Sequence, residues 1–299
     1  MVDSNGAPMA KHWCAIFCSR RFTMMPLMKW SGSKRSQSDE ICSRIGRGYG
    51  TYYEPFLGGG SIMFTLMRLD DGRFRKFVGS DLNADLIATY NAIRSRPHDI
   101  VDAYREHYRS LVSLSMDERK KYFNRVRSRL NSDHDPCDFF WIMRTTTNGM
   151  PRYNGKGEFN NSLHVTRDGM APDAIEKIVL SYSSLMNRLD VEFRSCPYSD
   201  IAPEEGDFAY FDPPYAATKG MYYGSIDNGA LFSYLGELKC DWMMSFDGKA
   251  GDDDMTADVP KEIYDTHEYI RNGNSSFRRV IGKDRDCIVY ESLYSRKRK

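Results

Sequence analysis

Thr51-Tyr52-Tyr53-Glu54-Pro55-Phe56-Leu57-Gly58-Gly59-Gly60, followed by Ser61 to Leu69, is the stretch from which the fold can be read. The β-prone, aromatic run Thr51 to Phe56 predicts a strand and the three glycines a tight turn. Ser61 to Leu69, with Ile62, Met63, Leu66 and Leu69 at helical spacing, predicts a helix. Lys76-Phe77-Val78-Gly79-Ser80 then reads as a second strand ending at Asp81, and Ala84 to Arg94 as a helix burying Leu86, Ile87, Tyr90 and Ile93. Strand, helix, strand, helix is the pattern of a parallel α/β sheet, whose ligands lie at the carboxyl ends of the strands.

The alternation breaks after residue 95. Helical patterns follow near 97–112, 117–130 and 137–146, and then a Gly/Asn-rich stretch from Asn148 to Asn161. This reads as an inserted unit. The sheet pattern resumes after a helix near 172–189, with strands near 191–194, 207–211 and 241–246 and a final pair near 276–281 and 287–294. Asp252 to Pro260 reads as an acidic loop. The expected divisions are an N-terminal extension over 1–24, a cofactor-binding part over 25–95, the insertion over 96–171 and a catalytic part over 172–299.

The chain has 299 residues, 41% hydrophobic and 28% charged, an ordinary globular composition for one or two domains. A formal net charge of +1 gives no global sign of nucleic-acid binding, so any basic footprint must be local. Between Tyr104 and Leu130 eight Lys/Arg stand against three Asp/Glu. That stripe is either a solvated helix face or a phosphate-contacting one, and Arg125 and Arg129 are assigned to the DNA backbone on the second reading. Seven cysteines without a CxxC pair argue for reduced thiols in the cytoplasm and against a structural zinc site; no metal is expected. Residues 1–28 hold only the short apolar patch Trp13 to Cys18, too short for a signal h-region or a membrane span, and the start at Met24, Met25 or Met28 is an alternative to Met1.

The chemistry is carried by Asp212-Pro213-Pro214-Tyr215, directly after the apolar run Phe208-Ala209-Tyr210-Phe211. Two prolines end the strand, stiffen the turn and leave its carbonyls free. An exocyclic amine on a nucleobase is a poor nucleophile because its lone pair is delocalised into the ring. If Asp212 and the Pro213 carbonyl each accept one N–H, the nitrogen is drawn toward tetrahedral geometry and its lone pair is aimed at an electrophilic methyl group. Tyr215 is suited to stack on the base. Gly58-Gly59-Gly60 is not a dinucleotide fingerprint, because Met63 occupies the sixth position of the motif. Asp81, at the end of the next strand, suits the two ribose hydroxyls of an adenosine-containing cofactor. With no phosphate-binding loop present, a nucleoside carrying an amino acid is favoured, and S-adenosylmethionine meets that description. Trp30 is suited to cover a cofactor and Lys34 to neutralise a carboxylate, although a lone basic, glycine-containing segment such as Lys29-Trp30-Ser31-Gly32-Ser33-Lys34 is more often just a loop.

Taken together and in order, Lys29-Trp30-x-Gly32-x-Lys34, Glu54-Pro55-Phe56-x-Gly58-Gly59-Gly60, Asp81-Leu82-Asn83, Arg152-Tyr153-Asn154-x-x-Gly157-Glu158-Phe159-Asn160 and Asp212-Pro213-Pro214-Tyr215 resemble the Dam-like family of adenine-N6 DNA methyltransferases. The resemblance spans roughly residues 25 to 295 and implies an α/β, Rossmann-like methyltransferase sheet with an inserted, mainly helical target-recognition domain carrying a hairpin. It implies methyl transfer from S-adenosyl-L-methionine to adenine N6 in duplex DNA by base flipping. Asp212, Pro213, Pro214 and Tyr215 would be the catalytic residues. Trp30, Lys34, Phe56, Gly58, Gly59, Gly60, Asp81, Tyr198 and Asp212 would contact the cofactor, and Lys29, Asn148, Met150 and Arg152 the DNA, with Arg152 reading a guanine edge or holding a phosphate. The family's GATC-specific members have an aromatic residue where this chain has Thr147 and a proline where it has Ser162, so the recognition sequence does not carry over. The competing readings are a cytosine-N4 or RNA adenine methyltransferase, a nicotinamide-dependent dehydrogenase, disfavoured by Met63, and a non-enzymatic DNA-binding regulator, which predicts a broken motif. The expected partner is duplex DNA, with no membrane, a monomer being slightly favoured, and a restriction-modification role is compatible.

Overall fold

A computed structural model of the chain describes residues 25–164, 166, 168–214, 226–251, 253–272 and 288–298. Among these residues one eight-stranded sheet organises the fold. Its strands are β1 (Thr51–Glu54), β2 (Lys76–Asp81), β3 (Asp190–Ser195), β4 (Phe208–Phe211), β5 (Asp241–Ala250), β6 (Asp253–Asp254), β7 (Thr266–Asn272) and β8 (Val289–Arg296). The order is β3-β2-β1-β4-β5-β8-β7, with β6 pairing only with β5. Strands β3, β2, β1, β4 and β5 are parallel, while β8 runs antiparallel to both β5 and β7. The chain moves outward from β1 through β2 to β3 and then returns to lay β4 on the other side of β1. This reversal opens a crevice at the carboxyl ends of β1 and β4.

The helices are α1 (Ser38–Arg44), α2 (Ser61–Leu69), α3 (Ala84–Ser95), α4 (Pro97–Val112), α5 (Met116–Asp133), α6 (Pro136–Thr145), α7 (Pro172–Arg188) and α8 (Asn228–Glu237). Local signals set their ends. Asn83 caps α3 by accepting from the Leu86 N–H at 3.0 Å, Ser115 and Glu118 form a capping box on α5, and Pro136 and Pro172 stand in the first turns of α6 and α7. The short helix α1, absent from the sequence reading, packs against α2. Strand β4 is buried along its whole length, as a central parallel strand must be.

Helices α4, α5 and α6 carry Ile100, Tyr104, Phe123, Phe140 and Trp141 into the same apolar core that α3 and α7 supply with Tyr90, Ile93 and Met186. After α6 the chain forms a hairpin-like excursion, with isolated bridges Thr146↔Leu163 and Tyr153↔Phe159.

Three departures concern the last third. On the side away from β5, β8 pairs among the described residues with β7 at Thr266–Asn272; the expected strand near 276–281 lies outside them. Strand β5 runs to Ala250, past the expected end at 246, through an irregularity between Phe246 and Lys249. Glycine is required there, because a Cβ on Gly248 would lie 2.3 Å from the Tyr290 carbonyl oxygen. Asp253 and Asp254, read as loop, form β6 instead, with the Asp254 carboxylate 3.3 Å from Lys249 Nζ. The N-terminal extension 1–24 and Asp252 also lie outside the described residues.

Candidate active site

A cavity of about 390 Å³ opens at the carboxyl ends of β1, β2 and β4, lined by the glycine turn, Asp81 and Asp212 among others. Each wall follows from a local feature of the sequence. The turn after β1 is bonded to β2 through the Leu57 N–H and the Ser80 carbonyl, and Gly58 and Gly60 take φ of 45° and 63°. Trp30 lies directly on this turn: a Cβ on Gly58 would stand 2.8 Å from its indole nitrogen. Positive φ and close approach together make glycine necessary at that position. The Gly58 N–H donates to one Asp81 oxygen and the Asn83 N–H to the other, both at 2.9 Å. Burial pushes the Asp81 carboxyl above its ordinary value, against the opposing pull of these N–H groups.

Aromatic rings form a second wall. The rings of Phe56 and Tyr198 are 5.5 Å apart, Tyr198 and Tyr234 5.2 Å, and Phe56 and Phe211 6.4 Å. Phe56 comes from just after β1 and Tyr198 from the turn after β3, so two separate segments line one apolar slot, while Tyr234 of α8 backs Tyr198. The glycine cradle, a carboxylate with acceptor capacity left and a flat apolar slot fit a nucleoside with an uncharged base.

Asp212 stands where β4 ends, stiffened by Pro213 and Pro214, and all three line the cavity. Its Oδ1 is 2.8 Å from Lys34 Nζ, and Glu291 Oε2 on β8 is 3.5 Å from the same ammonium. Lys34 is expected at a cofactor carboxylate; it does line the cavity, but its charge is engaged by Asp212. Glu54 is buried at the floor, where it accepts from the Tyr52 hydroxyl at 2.7 Å and the Met63 N–H at 2.8 Å. Burial pushes its carboxyl up to about 8, with Asp212 adding in the same direction and the two hydrogen bonds and Lys34 opposing. Tyr215 lies outside the described residues.

Beside the cavity stands the excursion after α6. Asn148 takes φ 58°, the Ser31 N–H donates to the Gly149 carbonyl at 3.1 Å, and Lys29 Nζ reaches the Thr146 carbonyl at 3.3 Å. Lys29, Asn148 and Met150 are thereby gathered at one place. Arg152 is exposed one residue beyond Pro151, its Nε donating to Asn160 Oδ1 at 2.9 Å. Tyr153 turns inward and lines the cavity, and the Asn83 amide donates to its hydroxyl at 2.7 Å. Thr147 and Ser162 meet each other: the Thr147 N–H donates to the Ser162 carbonyl at 3.0 Å and the Thr147 hydroxyl to the same oxygen at 3.3 Å.

The basic stripe is partly consumed internally. Arg129 makes a forked pair with Asp138 at 2.6 Å for each nitrogen, although its side chain remains half exposed. Asp138 is buried and also bonded to His107, so it needs a cation, and one helix away Arg129 is the one within reach. Arg105 pairs with Asp102 and Glu176, Arg119 with Asp168, and Arg127 donates to the Asn161 carbonyl. Arg125 instead lies over the Tyr122 ring at 5.5 Å.

The profile of the D12 class N6 adenine-specific DNA methyltransferases matches residues 30–247. The chain belongs to this family. It is 27% identical over 202 residues to the type II methyltransferase M.MjaIII of Methanocaldococcus jannaschii, covering 64% of this chain and 68% of that protein. It is 28% identical over 195 residues to the DNA adenine methylase of Salmonella typhi, covering 63% of this chain and 64% of that protein. The match thus spans about two thirds of the length of these relatives. A solved rRNA methyltransferase, AviRa from Streptomyces viridochromogenes, aligns over 92% of this chain and 85% of its own with a TM-score of 0.40 at 12% identity, too loose a likeness to bear on function.

In this D12 class chain, the described structure brings Trp30, Lys34, Phe56, Gly58, Gly59, Gly60, Asp81 and Tyr198, the residues expected to face a cofactor, to the cavity that Asp212, Pro213 and Pro214 also line. Glu54, Tyr234 and Glu291 were not singled out by sequence reasoning. Glu54 carried a signal, a carboxylate ending an apolar central strand. Tyr234 and Glu291 carried none, because each reaches the site from an element far away in sequence. Among the described residues no group of three or more His, Cys, Asp or Glu is placed to hold a metal ion, and no helix is long and apolar enough to cross a membrane.

Proposed function

We propose that this D12 class DNA adenine methyltransferase uses S-adenosyl-L-methionine bound in the 390 Å³ cavity to methylate N6 of an adenine flipped out of duplex DNA. The supporting observation is that the Asp212-Pro213-Pro214 turn and the Asp81 carboxylate face one common space. The cofactor, when bound, supplies an electrophilic methyl group on a sulfonium sulfur. Asp81 accepts from the ribose hydroxyls, Phe56 and Tyr198 form the apolar wall against which the adenine ring of the cofactor lies, and Trp30 closes the glycine turn. Asp212 and the Pro213 carbonyl accept the two N–H bonds of the target amine and orient its lone pair. Tyr215 stacks on the flipped base.

The segment 96–171 acts as the target-recognition unit between a cofactor part at 25–95 and a catalytic part at 172–299. In it Asn148, Met150 and Arg152, with Lys29 beside them, face the duplex. Specificity differs from GATC, because the Thr147 side chain is turned onto the Ser162 carbonyl rather than offering a ring for intercalation. The enzyme works as a monomer in the cytoplasm. The test is to incubate the protein with methyl-labelled S-adenosylmethionine and unmethylated genomic DNA, then to analyse the nucleosides and sequence the modified positions. N6-methyladenine in one sequence context is expected; N4-methylcytosine, or label only in RNA, refutes the assignment.

A further inference from the structure

Lys34 faces two carboxylates, and only one of them is explained by the chemistry. Its ammonium, on a side chain only 5% exposed, touches Asp212 at 2.8 Å and stands 3.5 Å from Glu291 Oε2. Glu291 belongs to β8, where its neighbours Ser292, Leu293 and Tyr294 are buried, and it is itself 8% exposed. A carboxylate in such a strand is costly to bury, and the fold has no evident need of it. Its Oε1 accepts from Asn272 Nδ2 at 2.6 Å across the β7–β8 pair, which fixes the group. Its Oε2 makes no hydrogen bond among the described residues and points to Lys34. Asn272 is in turn approached by the hydroxyl of Ser36, on the same turn as Lys34, at 3.5 Å.

We propose that Glu291, held by Asn272, is a positioning residue for methyl transfer: it is a second resting place for the Lys34 ammonium, which frees Asp212 to accept the target amine. The proposal rests on the methyltransferase reading. While Lys34 holds Asp212 Oδ1, it competes with the incoming N–H and withdraws charge from the acceptor that must shape the nitrogen. An ammonium moved off Asp212 gives up its nearest carboxylate, and on a side chain only 5% exposed that charge is costly without another acceptor of opposite charge. Glu291 removes that obstacle with a shift small enough for side-chain rotation. No proton leaves any group in this exchange. In the resting protein the same ammonium offsets the charge of Asp212 at 2.8 Å.

The experiment uses the full chain and a duplex containing the site found by sequencing. Glu291→Gln keeps the shape and the Asn272 contact but removes the charge. At saturating cofactor, its single-turnover rate is expected to fall roughly ten- to hundredfold, the range for losing a charged hydrogen-bond partner, with cofactor affinity within about twofold. The decisive comparison is Lys34→Met against Lys34→Met/Glu291→Gln. Without the ammonium there is nothing to hold, so both should react at one rate; losses that multiply would overturn the assignment and make Glu291 a structural residue.

A binding readout without turnover accompanies this. Glu291→Gln should weaken a duplex with adenine at the target relative to the same duplex with an abasic target, whereas equal weakening of both refutes the inference. If Glu291→Gln melts too low to assay, Asn272→Ala leaves the carboxylate in place and merely frees it. Its loss of rate must likewise vanish in the Lys34→Met background, and persistence overturns the proposal. A wild-type protein that leaves adenine unmethylated defeats the methyltransferase reading itself, while an active wild type with an unaffected Glu291→Gln defeats only this inference.

Discussion

Replacing Asp81 by Asn tests the cofactor site with the least disturbance. The Asp81 carboxylate holds the Gly58 and Asn83 N–H groups at 2.9 Å each, so truncation to Ala would also release the glycine turn on which Trp30 lies. Asn keeps the volume and one acceptor oxygen. What is lost is the charge, and with it the assistance to hydrogen bonds from two ribose hydroxyls, together with the acceptor for one of the two backbone N–H groups, because the amide NH2 of Asn is itself a donor. A hydrogen bond to a charged group contributes about 1.5–3 kcal/mol, so affinity for S-adenosylmethionine should fall by about one to two orders of magnitude. Calorimetric titration without DNA reads binding alone. The pH dependence adds a second check. The folded-state carboxyl is raised by burial, so the binding-competent carboxylate is present at high pH and is lost as pH falls through that raised value. Wild-type affinity should therefore decline on acidification sooner than an exposed aspartate would require, and the Asn variant should be flat. Affinities within twofold of each other, or equal pH profiles, would remove Asp81 from the site.

Asp212→Ala should retain cofactor binding but lower single-turnover methylation by about 10²-fold or more, which rapid-quench measurement with labelled cofactor will check. Tyr153→Phe removes only the hydroxyl bonded to Asn83 and should loosen the hold of the cofactor wall on the recognition hairpin; discrimination between cognate and random duplexes should fall while bulk cofactor affinity changes little. Glu54→Gln should raise the melting temperature, and more so at pH 8 than at pH 5: an unfolded-state carboxyl near 4.5 and a folded one at about 8 mean that wild-type stability is lost as pH rises across that interval, a loss the amide does not suffer. Arg129→Ala should destabilise the fold by taking the forked cation from the buried Asp138, whereas Arg125→Ala should leave the melt unchanged and reduce the salt dependence of DNA binding by about one unit of slope if it meets a phosphate.

Periodicity and punctuation in the sequence determined the elements. The starts of α2 at Ser61 and α4 at Pro97, and the end of β4 at Phe211, stand where glycine, proline and the apolar runs put them, because those features act through the local backbone. The ordered motifs determined the family for the same reason: a strand end, a tight turn and a rigid Asp-Pro-Pro are short-range devices. Only the tertiary structure decided which charges meet. Lys34 lies 178 residues from Asp212 and 257 from Glu291, and no local propensity pairs them. The same holds for Arg129, which the sequence shows only as one charge of a basic stripe and which the structure pairs with the buried Asp138 of the next helix. It also holds for Tyr234, brought to Tyr198 and Phe211 by α8. Backbone preference is settled within a few residues, whereas the partner of a long charged or aromatic side chain is settled by burial, which exists only once the sheet order has brought distant strands together.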